Sequence, residues 1–136
     1  VIAATNDEST NEKVFRDAAA QNIPVNVVDD PKRCSFIVPS IVRRGALQIA
    51  ISTAGISPAL SKKIRRELEE KFDDSYGAYL DLLAEFRPQV TRAIKDFETK
   101  KALWEQVLAS DVFDLVKKGD IDTARARLKD LLAVKA

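Results

Sequence analysis

The sequence predicts an α/β chain in three parts: the C-terminal part of a parallel-stranded domain, a strand-containing region, and a small helical bundle. Three observations carry this. Two short apolar runs, Val1 to Ala4 and Val25 to Val28, flank one amphipathic stretch. Two more apolar runs stand on either side of a basic turn at Arg43-Arg44-Gly45. Beyond Ser57 the apolar residues recur at helical spacing.

The first run, Val1-Ile2-Ala3-Ala4, ends in Thr5-Asn6-Asp7. Ser9 is then the expected N-cap of a helix, with Glu12 three residues on completing a capping box. Val14, Phe15, Ala18 and Ala19 give that helix one apolar face. Asn22 stops it, and Pro24 leads into Val25-Asn26-Val27-Val28. A strand, a helix and a strand in this order predict a βαβ unit with parallel strands. Ligands of such sheets sit at the carboxyl ends of the strands, which here are Thr5-Asn6 and Asp29-Asp30. Because the chain opens inside an apolar strand, a preceding N-terminal portion is expected.

Ser35 to Val38 and Leu47 to Ser52 read as the strands of a hairpin. In the second, Leu47, Ile49 and Ile51 alternate with Gln48, Ala50 and Ser52, so one face is buried. A hairpin this short must pack on the sheet, a later helix or a second subunit. Ser57 is the expected N-cap of the next helix with Pro58 at its first position. Leu60, Ile64, Leu68 and Phe72 line one face of that helix. Helical stretches follow over Tyr76 to Phe86, Pro88 to Phe97, Leu103 to Leu108, Val112 to Val116 and Ile121 to Leu132. Arg87-Pro88, Ser110-Asp111 and Gly119-Asp120 punctuate them. Phe97 and Trp104 are expected in the core of this bundle.

Composition limits the chemistry. The 136 residues include no His and one Cys. That excludes a Ser-His-Asp triad, a Cys-His dyad, an imidazole base and any paired-Cys metal motif within these residues. With 46% hydrophobic and 32% charged residues the chain reads as soluble and globular, and a cytoplasmic setting without membrane contact is the expectation. The 22 Lys and Arg nearly balance the 21 Asp and Glu, yet between Pro31 and Arg66 stand eight bases and no acid. The remainder holds 14 bases against 21 acids. Such a block is either a solvated face or the mark of an anionic partner. Nucleic acid is disfavoured, because the segment has one aromatic, Phe36, and no basic recognition helix. A polyanionic small molecule fits as well, and the loop Ser52-Thr53-Ala54-Gly55-Ile56-Ser57-Pro58 offers it hydroxyls and a helix N-terminus. Among proton acceptors Asp29 is the best placed; its alternative reading is a turn residue of Asp-Asp-Pro. Cys34 reads as a small buried filler, with no base beside it.

The ordered runs Val1-Ile2-Ala3-Ala4-Thr5-Asn6-Asp7, Asn26-Val27-Val28-Asp29, Ser35-Phe36-Ile37-Val38-Pro39-Ser40 and Ile49 to Leu60 resemble the precorrin-2 dehydrogenase family. The same module forms the N-terminal part of sirohaem synthase. The resemblance implies that residues 1–36 end an NAD-binding Rossmann-type domain, residues 37–72 form a dimerisation region and residues 73–136 a helical domain. The Gly-rich pyrophosphate turn of the first Rossmann strand is absent from the sequence. The implied activity is NAD-dependent oxidation of precorrin-2 to sirohydrochlorin, by a homodimer acting on a tetrapyrrole with eight carboxylates. Some members also insert ferrous iron; a nonenzymatic dimeric anion-binding module is the alternative of another class. Asp29 would be the catalytic carboxylate, as base or as positioning group. Ala3, Ala4, Thr5 and Asn6 would border the cofactor, with Asn26 near its nicotinamide end. Arg43, Arg44, Ser52, Thr53 and Ser57 would meet the substrate, with no metal held. Ser52-Thr53-Ala54-Gly55 departs from the family's Ser-Ser-Gly-Gly loop, in which some sirohaem synthases carry a regulated serine.

Overall fold

The computed structural model describes residues 1–133. The chain divides into two compact units, Val1–Val42 with Ile49–Leu68, and Arg43–Gln48 with the residues from Glu69 onward.

In the first unit β1 (Ile2–Ala3) and β2 (Asn26–Val27) enclose α1 (Glu8–Ala20). The strands pair in parallel, Ile2 opposite Asn26 and Ala3 opposite Val27, as the strand-helix-strand order requires. Ala3, Ala18, Val25 and Val27 are buried together, with Val14 and Phe15 of α1 against them. The cap of α1 differs from the expectation. Asp7, not Ser9, is the N-cap: its carboxylate accepts from the Ser9 N–H at 3.0 Å and from the Ser9 and Thr10 hydroxyls. An ionised carboxylate outcompetes a hydroxyl for the open N–H groups, so the helix starts earlier. Glu12 is then free to bind Arg16 and Arg33, at 2.6 and 2.8 Å. Asn22, at φ 55°, ends the helical segment in the left-handed region.

Ser35 to Val38 is not a strand. Ser35 is fastened to Val25 by main chain and hydroxyl, but Pro39 has no N–H with which to carry a ladder through. The hairpin begins after it, as β3 (Ser40–Arg44) and β4 (Leu47–Ile51). Arg43 and Arg44 therefore end a strand, and Gly45-Ala46 alone makes the turn, with Gly45 at φ 55°. Next comes α2 (Pro58–Lys71), capped as expected by the Ser57 Oγ accepting from the Leu60 N–H at 3.3 Å.

The second unit holds α3 (Ser75–Ala93), α4 (Phe97–Leu108), α5 (Val112–Lys117) and α6 (Ile121–Ala133). The expected break at Arg87-Pro88 does not occur, and Pro88 lies inside α3. A proline there costs about 3 kcal/mol. Continuing the helix buries Val90 and brings Ile94 against Leu103, and two such side chains contribute about 1.5–3 kcal/mol each. The chain breaks instead at Ile94, whose backbone is extended. Asp96 then caps α4, accepting from the Thr99 N–H at 2.7 Å. Tyr79, Leu82, Val107, Val112, Val116, Ala124 and Leu128 form the core. Trp104 packs against it as expected; Phe97, the first residue of α4, is instead 71% exposed.

The candidate functional site

At the carboxyl end of β2 the Val28 N–H still bonds to the Ala3 carbonyl at 2.9 Å, and the Asp30 N–H then closes a turn onto the Val27 carbonyl at 3.1 Å. Asp29 takes the position in that turn with φ 62°. Glycine would occupy this position at less cost, and Asp is among the few side chains that tolerate it. The two acidic residues divide the work. Asp30 makes the following turn: its Oδ1 accepts from the Lys32 N–H at 3.2 Å, and Oδ2 lies 3.3 Å from Arg33 Nε. Asp29 is exposed and, among the described residues, its carboxylate takes no hydrogen bond or ion pair.

Asp29 lines a hollow of about 420 Å³ together with Ile2, Asn26, Cys34, Gly55 and Pro58. A smaller hollow of about 120 Å³, lined by Ser40, Ser52, Thr53 and Ser61, shares Ile37, Val38, Gly55 and Pro58 with it. The first unit thus brings the strand-end carboxylate, the Asn26 amide and the Ser52-Thr53 loop to adjoining spaces. Several hydroxyls of that loop are internal braces. Thr53 Oγ1 accepts from the Ser57 N–H at 3.1 Å and lies 3.1 Å from Ser61 Oγ. Ser52 Oγ accepts from the Ala54 N–H at 3.1 Å, and Ser57 Oγ caps α2.

The other expected residues are not among those lining these two hollows. Ala3 is buried beneath β2, while Ala4, Thr5 and Asn6 are exposed. Thr5 Oγ1 is bound to Asn11 Oδ1 at 2.8 Å and to the Asp7 carbonyl at 3.0 Å. Arg43 and Arg44 belong to the hairpin tip, which groups with the helical unit. Arg44 is committed there: it donates to the Glu69 carbonyl at 3.0 Å and the Arg43 carbonyl at 2.9 Å. Its Nε lies 3.3 Å from Asp74 Oδ1, an ion pair without hydrogen-bond alignment. Arg43 is exposed, with one long contact of 3.4 Å to Gln48 Oε1. Of the eight-base segment, Arg33 is also engaged, by Glu8, Glu12 and Asp30. In the helical unit a separate cavity of about 220 Å³ is lined by Phe86, Val90, Ile94, Leu103 and Leu132, with Lys129 at its border. It holds no acid–base pair.

Sequence reasoning did not foresee the contribution of Cys34. It enters the site through a sulfur contact with Asn26 eight residues away, a pairing that follows from the turn and from no pattern of residue types.

The fold and the hollow define a class first: the closing βαβ part of a parallel α/β domain, a carboxylate at a strand's carboxyl end, then a hairpin and a helical bundle. Residues 1–40 match a family model described as putative NAD(P)-binding. Residues 44–71 match one described as sirohaem biosynthesis protein central, and residues 75–132 one described as sirohaem synthase dimerisation region. The chain is 43% identical over 136 residues to a siroheme synthase of Pseudoalteromonas translucida, spanning all of this chain and 29% of that protein. It is 41% identical over 129 residues to a siroheme synthase of Vesicomyosocius okutanii, 95% of this chain and 28% of that protein. Among solved structures it resembles SirC, precorrin-2 dehydrogenase, with a TM-score of 0.70 and 27% identity, over 95% of this chain and 62% of that one. In sequence and fold the chain is similar to parts of siroheme synthases and of a precorrin-2 dehydrogenase. It spans less than a third of the length of these curated relatives. No described helix is long and apolar enough to cross a membrane.

Proposed function

We propose that the protein takes part in the NAD-dependent oxidation of precorrin-2 to sirohydrochlorin. The observation that carries this reading is Asp29: it sits in the turn that ends a buried strand, yet its carboxylate has no partner among the described residues and lines a hollow of about 420 Å³. NAD, when bound, supplies the hydride acceptor. The residues present fit its nicotinamide end, because Asn26, a nearly buried amide, lines that hollow. They do not form a pyrophosphate turn, since all four glycines of the sequence lie beyond residue 40.

Oxidation of the macrocycle removes a hydride and a proton, and Asp29 Oδ accepts that proton or fixes the ring beside it. Exposed Arg43 of the basic segment meets carboxylates of the tetrapyrrole. Ser52, Thr53 and Ser57 shape the loop beside the hollow, and Ala3, Ala4, Thr5 and Asn6 border the cofactor from β1. The division into residues 1–36, 37–72 and 73–136 and the homodimer are parts of the same proposal; the match of residues 75–132 to a dimerisation region supports the latter. Precorrin-2 incubated with NAD and the protein tests the reading. Appearance of the sirohydrochlorin spectrum with formation of NADH is expected. An unchanged spectrum overturns it in favour of an anion-binding module.

A further inference from the structure

Besides its apolar cavity, the helical unit carries a hollow of different character. It encloses about 270 Å³ and is lined by Arg87 and Thr91 of α3 and by Phe97, Lys100, Lys101 and Trp104 of α4. The four α4 residues stand at i, i+3, i+4 and i+7, so their side chains emerge on one face of the helix. Arg87 and Thr91, one turn apart on α3, line the same space. The open N–H groups of α4 are not what makes this a site, because the Asp96 carboxylate already accepts from the Thr99 N–H at 2.7 Å.

Two properties of the lining serve nothing in the core. One is charge. Three cations line the hollow and no acid does. Arg87 and Lys100 have no ion pair among the described residues, although Lys100 is half-buried, and Lys101 has only a contact of 3.9 Å to Glu105 Oε1. Like charges gathered in one concavity repel, and an anion offsets that cost. The other is aromatic surface. Phe97 is 71% exposed. Trp104 is half-buried, packed against the two apolar clusters of the unit, and so gives the hollow a fixed flat wall.

We infer that this hollow binds a nucleotide, whose base stacks on Trp104 and Phe97 while Arg87, Lys100 and Lys101 hold its phosphates. The Thr91 hydroxyl is a further donor to the phosphates. The space lies just below the range of small-ligand sites, about 300–1,000 Å³, which suits one base and its phosphates and not a tetrapyrrole with eight carboxylate arms. A phosphate carrying a charge of about −2 also balances three cations better than a lone carboxylate does. A second copy of the chain fits poorly, since a two-fold pairing here would set three cations against three.

Trp104 is the sole tryptophan of the sequence, so its fluorescence reports on this hollow alone. Titrating the full chain with ADP is expected to quench it saturably, with an affinity that falls as salt is added. Adenosine, which lacks the phosphates, should bind about 10-fold more weakly. Pyrophosphate, which lacks the base, should displace ADP while quenching little. Phe97→Ala and Lys100→Gln should each weaken ADP about 10-fold at unchanged Tm. No saturable quenching of the unaltered protein by ADP overturns the inference, and that measurement requires no variant to fold. Quenching that both variants leave unchanged overturns it as well, because ADP would then act elsewhere. A single-stranded oligonucleotide that quenches where ADP does not would make the face a nucleic-acid contact instead. A Phe97→Ala protein whose mass in light scattering falls while its ADP affinity holds would show that a second copy covers the hollow. The readout involves neither precorrin-2 nor Asp29, so either result leaves the dehydrogenase reading to its own test.

Discussion

Two adjacent aspartates with one side chain chemistry have different duties, and the difference follows from a single backbone angle. Asp29, at φ 62°, has its carboxylate free, whereas Asp30 is engaged by Lys32 and Arg33. Asp29→Asn preserves shape and removes the charge and the proton-accepting capacity. Dehydrogenation should fall about 10²- to 10⁴-fold, with melting temperature and dimerisation little changed. Asp30→Asn should cost far less activity, and equal loss in both variants would return Asp29 to a turn residue. The neighbouring arginines divide in the same way. Arg43→Gln should raise KM for the tetrapyrrole, with a loss that shrinks as salt is added. Arg44→Gln removes the ion-pair partner of Asp74 and the donor to two main-chain carbonyls, so it should lower Tm and leave KM near its starting value. A raised KM in the Arg44 variant at unchanged Tm would show that Arg44 too meets the substrate.

Among the elements, the junction of the hairpin tip and α3 is decided by two glycines. A Cβ at Gly77 would come 3.2 Å from the Arg44 carbonyl carbon, and one at Gly45 would come 3.3 Å from Gly77 Cα. Ala for Gly inside a helix ordinarily stabilises by about 1 kcal/mol. Here backbone faces backbone, and overpacking of about 1–3 kcal/mol opposes that gain. Gly77→Ala is therefore expected to lower Tm by a few degrees, and a raised Tm would show that the tip yields. The helix caps set an acid limit. Hydrogen bonds from Thr10 and Ser9 hold the Asp7 carboxyl below its ordinary range, and those from Thr99 do the same at Asp96. The Arg125 guanidinium lowers Glu85, which it grips with two contacts of 3.0 Å. Groups lowered on folding stabilise the protein above their unfolded pKa, and that contribution is lost as pH falls through the folded value. Tm should hold from neutral pH down to about pH 5 and fall below about pH 4. Asp7→Asn should make that decline shallower, and an unchanged slope would count against the cap.

At the scale of the whole molecule, apolar surface remains that the described chain does not cover. Ile37 is 37% exposed, Val38 52% and Ile41 39%, and among the described residues no third strand joins the two-stranded hairpin. A sheet with two free edges and an apolar flank is stabilised by pairing with another chain. The homodimer is accordingly expected to use the segment Pro39 to Thr53. Light scattering at micromolar concentration should give twice the chain mass, and Ile41→Lys should shift it toward the monomer. A monomer before any substitution, or a dimer that Ile41→Lys and further hairpin charges leave intact, would place the interface elsewhere.

How much of this was legible beforehand depended on the range of the interaction. The βαβ order, the Ser57-Pro58 helix start, the helical C-terminal half and the strand-end position of Asp29 all follow from residues within a few positions of one another. Periodicity and capping act at that distance, so the sequence by itself determined them. The N-cap of α1 was misread, although local, because two capping residues compete and the carboxylate prevails. Pro88 inside α3 belongs to another category. Local propensity breaks the helix there, and only the burial of Val90 and the approach of Ile94 to Leu103 carry it through. The same holds for the commitment of Arg44 to Asp74 and for the Cys34–Asn26 contact. Each joins residues that the folded chain brings together and that no spacing rule connects. Tertiary structure decided these because a buried polar or apolar group is satisfied by whatever lies next to it in space, and sequence patterns report only what lies next to it along the chain.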